Sequence, residues 1–268
     1  MPTWLVVVLL GIIEGITEFL PISSTGHLLI AERWLGVHRS DLFNVLIQSG
    51  AVIAVLPLFP ERLKQFIYQW RTRETQEYMA KIALAFVITG VGGVIMEKMN
   101  FKLPDALPPI AWALLIGGIG FIAVEWWLRD RKGTDNVTWG IAVMVGVAQL
   151  VAAGFPGTSR SGSTILIALL LGLSRVAATE FTFLVGIPTM MAAGGLKTAK
   201  AIFGAGAGAQ EDWGMVALGF VVSAIVSFAA VKWLLRYIQT HTFIIFGWYR
   251  IGLAILIAVL LWKNGGAH

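Results

Sequence analysis

The chain has 268 residues, of which 57% are hydrophobic and 13% charged, against roughly 45–50% and about 25% in an ordinary soluble domain. That excludes a disordered chain or a water-soluble enzyme, and the apolar stretches recur so regularly that no separate soluble domain fits between them. The net charge of +5 does not signal nucleic acid, because the basic residues fall in short connections and form no stripe. The absence of cysteine removes disulfides, thiolate nucleophiles and Cys-ligated metals.

The N-terminus is apolar from Trp4 and carries no Lys or Arg before Arg33, so it reads as part of the mature fold and not as a cleaved signal. The first apolar region, 4–31, is interrupted by Pro21-Ile22-Ser23-Ser24-Thr25-Gly26 and reads as two half-helices. Segments 42–59, 80–99 and 108–128 follow, each long enough or nearly so to cross about 30 Å of hydrocarbon as a helix. Region 140–174 is interrupted again, by Pro156-Gly157-Thr158-Ser159-Arg160-Ser161-Gly162. Segments 180–196, 213–236 and 243–262 complete the set, and Phe203–Ala209 reads as a flexible external loop that matches no phosphate-binding pattern.

These elements predict an all-α polytopic membrane protein with about six transmembrane helices plus two re-entrant hairpins. The connections 60–81, 129–137 and 237–242 then share one side with ten basic residues, against seven on the side of the termini. The richer side is cytoplasmic by the positive-inside rule, and Trp4, Trp126, Trp127, Trp139, Trp213, Trp233 and Trp262 near segment ends fit an interfacial belt. An offset of 135 aligns Gly11 with Gly146, Glu14 with Gln149, Pro21 with Pro156 and Ser24 with Ser159. A single membrane domain made of two inverted repeats, about 1–128 and 138–262, is therefore expected, with the broken tips meeting near the midplane.

Glu14 and Glu18 share one helical face in an apolar stretch. As charges at the bilayer centre they would cost about 5–7 kcal/mol, comparable with a protein's whole net stability. They are either protonated carboxyls bonding helix to helix, or a divalent-cation site or acid/base pair in a wet cavity. Ser24 and His27, three apart, allow a base-activated nucleophile, although Ser23, Ser24 and Thr25 equally suit helix capping. Arg160, with Gly157, Thr158, Ser159, Ser161 and Thr164 and the half-helix amides, suits a phosphate-sized anion; its alternative is an ion pair with Glu14 or Glu18. Gln48 is placed to bond the acidic pair. Glu180, with Arg175 nearby, reads as structural, Glu125 can pair with Arg129 at i,i+4, and Arg250 either lines the cavity or snorkels.

The stretches Glu14-Gly-Ile-Thr-Glu18-Phe-Leu-Pro-Ile-Ser-Ser24-Thr-Gly-His27 and Pro156-Gly-Thr-Ser-Arg160-Ser-Gly-Ser-Thr164 resemble the two signatures of bacterial undecaprenyl-diphosphate phosphatases, a family known for bacitracin resistance. The resemblance extends over nearly the whole chain. It implies hydrolysis of undecaprenyl diphosphate to undecaprenyl phosphate and inorganic phosphate, which recycles the lipid carrier of cell-wall glycans. It also implies a multi-pass protein of the bacterial cytoplasmic (inner) membrane with its site open to the outer face. Glu18, Ser24, His27 and Arg160 would be catalytic, Glu14 and Glu18 would hold Mg²⁺ or Ca²⁺, and the partners would be the polyprenyl diphosphate and membrane lipids, with a homodimer allowed. Inverted repeats also suit a transporter or flippase of polyprenyl phosphate, but the convergence of acids, serine and histidine favours hydrolysis.

Overall fold

The computed structural model describes residues 1–99, 101, 106–203 and 212–265. Within them the chain forms eleven α-helices, with an isolated parallel bridge between Thr134 and Leu173 as the extended pairing among the described residues. Six helical segments are long and apolar enough to cross a membrane. They are α3 (Asp41–Val55, prolonged by a 3₁₀ turn to Leu58), α5 (Arg73–Lys98), α6 (Leu107–Trp127), α9 (Arg175–Phe203), α10 (Trp213–Tyr237) and α11 (Ile244–Gly265). Between α3 and α5 lies a short helix, α4 (Pro60–Tyr68), where sequence reading expects only a loop; Pro60 starts it at a position where a proline costs no hydrogen bond.

The interrupted regions fold as two hairpins, α1 (Thr3–Thr17) with α2 (Ser24–Leu35) and α7 (Trp139–Gly154) with α8 (Arg160–Leu170). At 1.5 Å per residue these legs reach about 16–24 Å, too short to span the hydrocarbon. Helix α6 fixes their directions. Its Leu107 end borders a cavity with Ile30, Arg33 and Trp34 of α2, whereas its Trp127 end borders one with Leu170 to Arg175, just past α8. The two hairpins therefore enter from opposite ends and their tips run past each other.

Packing is exchanged between the halves. Helix α1 lies on α10, where a Cβ at Gly15 would sit 2.7 Å from the Ser223 carbonyl, and α7 lies on α5, where one at Gly146 would sit 2.9 Å from that of Ala85. Helices α6 and α11 meet through Gly118 and Gly247, each opposed to the other's carbonyl. Small residues let backbones approach where lipid offers no hydrophobic drive between helices.

Two charge pairings differ from expectation. Glu180 accepts from Arg62 Nε at 2.6 Å and not from Arg175, which instead forks onto Glu125. Helix α6 ends at Trp127, so Arg129 is off the helical face that would bring it to Glu125. Glu125 also accepts the Phe243 amide at 2.9 Å and thereby ties α6, α9 and the start of α11 together. Two helices start earlier than hydropathy suggests, because Thr72 caps α5 and Ser174 accepts the Ala177 amide at the start of α9. All seven belt tryptophans are exposed, and the Gly/Ala stretch beyond Phe203 lies outside the described residues.

Candidate active site

Both tips turn on the same device. Ser23 and Ser159 have φ of 73° and 69°, the positive values found at non-glycine residues among those described. Each caps the half-helix that follows, Ser23 accepting the Gly26 amide at 3.3 Å and Ser159 the Gly162 amide at 3.1 Å. Holding a serine in this sparsely populated backbone region costs on the order of 1–3 kcal/mol, which the cap and the surrounding packing offset. The backbone thus matches Ser23 with Ser159, one residue away from the 135 offset of the sequence, because the second tip carries one extra residue after its proline. As a result Ser24 and Arg160 occupy the same position, the first of α2 and of α8.

These two first residues converge on Glu18. Ser24 Oγ donates to Glu18 Oε2 at 2.7 Å, Gln48 Nε2 to the same oxygen at 3.1 Å, and Arg160 Nη2 to Oε1 at 3.2 Å. The carboxylate is buried, and so is most of the arginine, with 4% and 15% of their side chains exposed. An ion pair taken out of water survives only where further hydrogen bonds satisfy it, and Ser24 and Gln48 supply them. Arg160 reaches Glu18 between the Phe19 ring, 5.5 Å from its guanidinium, and Gly186, where a Cβ would fall 1.8 Å from Nη1. Its Nε and Nη1 are buried without a partner, so the guanidinium keeps donors for an anion while it holds Glu18. The amides of Ser24, Thr25, Arg160 and Ser161 are likewise unengaged by described residues.

His27 does not approach Ser24. Its Nδ1 lies 2.7 Å from the Ser23 carbonyl and its Nε2 lies 2.7 Å from the Tyr249 hydroxyl. A carbonyl only accepts, so Nδ1 carries the hydrogen and the neutral ring accepts from Tyr249. The expected serine–histidine pair is replaced by a serine–glutamate pair, because the imidazole, three residues into α2, bonds back to its own helix. Tyr249 carried no signal in the sequence that marked it.

The second tip is less of a cradle than its hydroxyls suggested. Ser161 Oγ donates to the Leu20 carbonyl at 3.1 Å, and Thr164 Oγ1 to that of Arg160 at 2.7 Å. With the Ser159 hydroxyl used as a cap, these groups hold the tips together and stiffen α8. Thr158 faces the apolar cavity beside α6, and Thr25 is exposed at the opposite tip without a side-chain bond among the described residues. The carbonyls of Gly157 and Thr158 accept from Arg250 Nη2 at 3.2 and 3.0 Å. Arg250 is fully buried and also donates to Pro21, Ala113 and Leu114 carbonyls. It neither snorkels nor lines the Glu18 site with its charge. It staples both tips to α6.

Glu14 is buried one turn before Glu18, with its Oε2 without a partner. At the aligned position of the other half, Gln149 Nε2 donates to Thr89 Oγ1 at 2.9 Å, while its Oε1 is buried without a partner, and it carries no charge to offer a cation. An orphaned carboxylate oxygen beside a second carboxylate fits a hard divalent cation, which needs one or two such ligands and completes its shell with water and phosphate. No larger cluster of three metal-binding side chains occurs among the described residues.

Short opposed hairpins that gather an acid, a hydroxyl, an amide and a guanidinium inside six apolar helices define an integral membrane protein with a polar centre buried in its bundle. Residues 7–256 match the family model described as bacitracin resistance protein BacA, and the chain belongs to that family. It is 55% identical over 250 residues to a protein of Rhizobium etli, covering 93% of this chain and 94% of that one. It is 53% identical to one of Rhizobium leguminosarum bv. trifolii, over 93% and 94% of the two chains, and 50% identical to one of Xanthomonas oryzae pv. oryzae, over 97% of both. All three relatives are named undecaprenyl-diphosphatase.

Proposed function

We infer that the protein hydrolyses undecaprenyl diphosphate to undecaprenyl phosphate and inorganic phosphate at the Glu18 centre, the observation that carries the mechanism being the 2.7 Å bond from Ser24 to Glu18. Glu18 is the general base for Ser24, in place of His27. Ser24 Oγ gives its proton to Glu18 and attacks the terminal phosphorus; the bridging P–O bond breaks and undecaprenyl phosphate departs. Water then attacks the phosphoserine, releasing inorganic phosphate and returning the proton to Ser24. The free donors of Arg160 and the first amides of the two half-helices stabilise the equatorial oxygens as charge develops. Gln48 holds the Glu18 carboxylate in line. His27, fixed by Ser23 and Tyr249 beside Thr25, stands at the more open edge of the site.

Glu14 and Glu18 would hold Mg²⁺ or Ca²⁺, which when bound would neutralise phosphate charge. The prenyl chain has a seat of matching chemistry in the cavity of about 510 Å³ along α6, walled by Trp112, Ile116, Phe155 and Leu166 and ending at Thr158. The excess of basic residues at the Trp127 end of α6 supports placing that end in the cytoplasm and the site toward the outer face of the inner membrane. A transporter has no use for an activated serine, and that reading is not favoured.

Purified protein is assayed for phosphate release from a polyprenyl diphosphate, with and without chelator, as wild type, Glu18→Gln, Ser24→Ala and Arg160→Ala. Loss of turnover in all three folded variants, and a phosphoserine trapped by acid quench of wild type, are expected. Undiminished hydrolysis by Glu18→Gln refutes the base, and undiminished hydrolysis by Ser24→Ala refutes the nucleophile.

A further inference from the structure

We propose that the cleft at the foot of the second hairpin binds the phosphate headgroup of an anionic glycerophospholipid. It lies at the Trp127 end of α6, far along α8 from Arg160, and its volume of about 500 Å³ is outside the catalytic centre. Arg131, Lys132 and Arg175 line it together with Trp127, Leu170 and Leu171. Two acids near it are already engaged. Glu125 is forked by Arg175, and Asp135 accepts from Ser174 Oγ. Arg131 and Lys132 have no acidic partner among the described residues, and the Arg131 guanidinium is held 4.1 Å above the Trp127 ring.

Backbone donors point the same way. The amides of Lys132 and Gly133, and those of Arg175 and Val176 at the start of the 29-residue α9, have no acceptor among the described residues. The connection is pressed against that helix start by Ser174 N donating to the Thr134 carbonyl at 2.8 Å, and Gly133 has no room for a Cβ, which would sit 2.5 Å from Ser174 N. Two cationic side chains and the free amides of Lys132, Gly133 and, at a helix N-terminus, Arg175 thus border one volume.

The apolar wall selects a lipid over free phosphate. Leu170 and Leu171 are 40% and 44% exposed at the turn that closes α8, where an acyl chain would cover them. Exposed Trp126 and Trp127 set the depth at the membrane interface. Basic pockets between helices on the cytoplasmic side suit anionic headgroups. A headgroup here would bridge the 128–134 connection to the start of α9 and so fix the base of the hairpin whose other end carries Arg160. The site does not depend on the hydrolytic mechanism.

The test is native mass spectrometry of the full chain in detergent, titrated with phosphatidylglycerol or phosphatidylcholine, for wild type and the double variant Arg131→Gln/Lys132→Gln. Phosphatidylglycerol is expected to bind preferentially. The double variant should lose about thirtyfold of that affinity, the worth of two basic residues at a membrane surface, with polyprenyl-diphosphate hydrolysis in detergent unchanged as proof of folding. Equal binding of the two lipids, or undiminished retention by the folded variant, overturns the proposal. Displacement of the bound lipid by millimolar inorganic phosphate overturns the lipid assignment in favour of a free-anion site.

Discussion

Replacing Arg250 by methionine keeps the volume and removes the staple. Two of its five acceptors, the carbonyls of Pro21 and Gly157, are wholly buried and lie outside any helix, so nothing else among the described residues bonds them, whereas the Leu114 carbonyl keeps its bond within α6. An unsatisfied buried acceptor costs about 1–3 kcal/mol, so the variant should lose about 2–6 kcal/mol, a large part of a typical net stability of about 5–15 kcal/mol. Arg250→Lys retains at most three donors from one nitrogen and should fall between the two. The same contact can be attacked from the other side. A Cβ at Gly117 would lie 2.2 Å from Arg250 Nη2, so Gly117→Ala should destabilise the wild-type background and be far milder once Arg250 is methionine. Thermal unfolding in detergent of the four proteins completes a double-mutant cycle. Additive effects at the two positions, or an unchanged melting temperature for Arg250→Met, would refute the staple.

Gly186→Ala should displace the Arg160 guanidinium from Glu18, lower kcat by at least tenfold and also lower the melting temperature, since it parts a buried ion pair; unaltered turnover in phosphate release would mean that Arg160 does not need this path. Tyr249→Phe removes the hydroxyl bonded to His27 Nε2. With Glu18 and not His27 as the base, the pH profile of kcat/KM should stay superimposable on that of wild type while folding is intact, and a shifted profile would draw His27 into the reaction.

The fold was legible because the membrane demands long apolar helices, and the six spans 42–59 through 243–262 lie within a few residues of the observed helices apart from the far end of α9, which runs on to Phe203, and the polar first turns of α5 and α9. Those turns are helical through caps that hydropathy does not register. The two breaks were legible for the complementary reason, since Pro, Ser, Thr and Gly clusters have no place in a spanning helix. Pairings across the bundle were not. Spacing of three suggested a Ser24–His27 contact, but Glu18, six residues back across a strained turn, is the serine's partner, because the positive φ of Ser23 turns the chain before α2 starts. Arg250 was visible as an intramembrane charge, yet its five carbonyl acceptors lie in α6 and in two tips, all of them 92 or more residues away. Nothing local to a sequence reports such a distance.

The opposed hairpins also settle how the site meets the membrane voltage. Each half-helix carries the equivalent of about half a positive charge at its first turn, and a full charge moved across 100 mV is worth about 2.3 kcal/mol. Helices α2 and α8 both turn their positive ends inward but run in opposite directions, so their dipoles oppose one another along the field. The potential that a growing cell maintains therefore pulls equally on both tips, and the pocket keeps its attraction for a diphosphate without becoming an electrical switch.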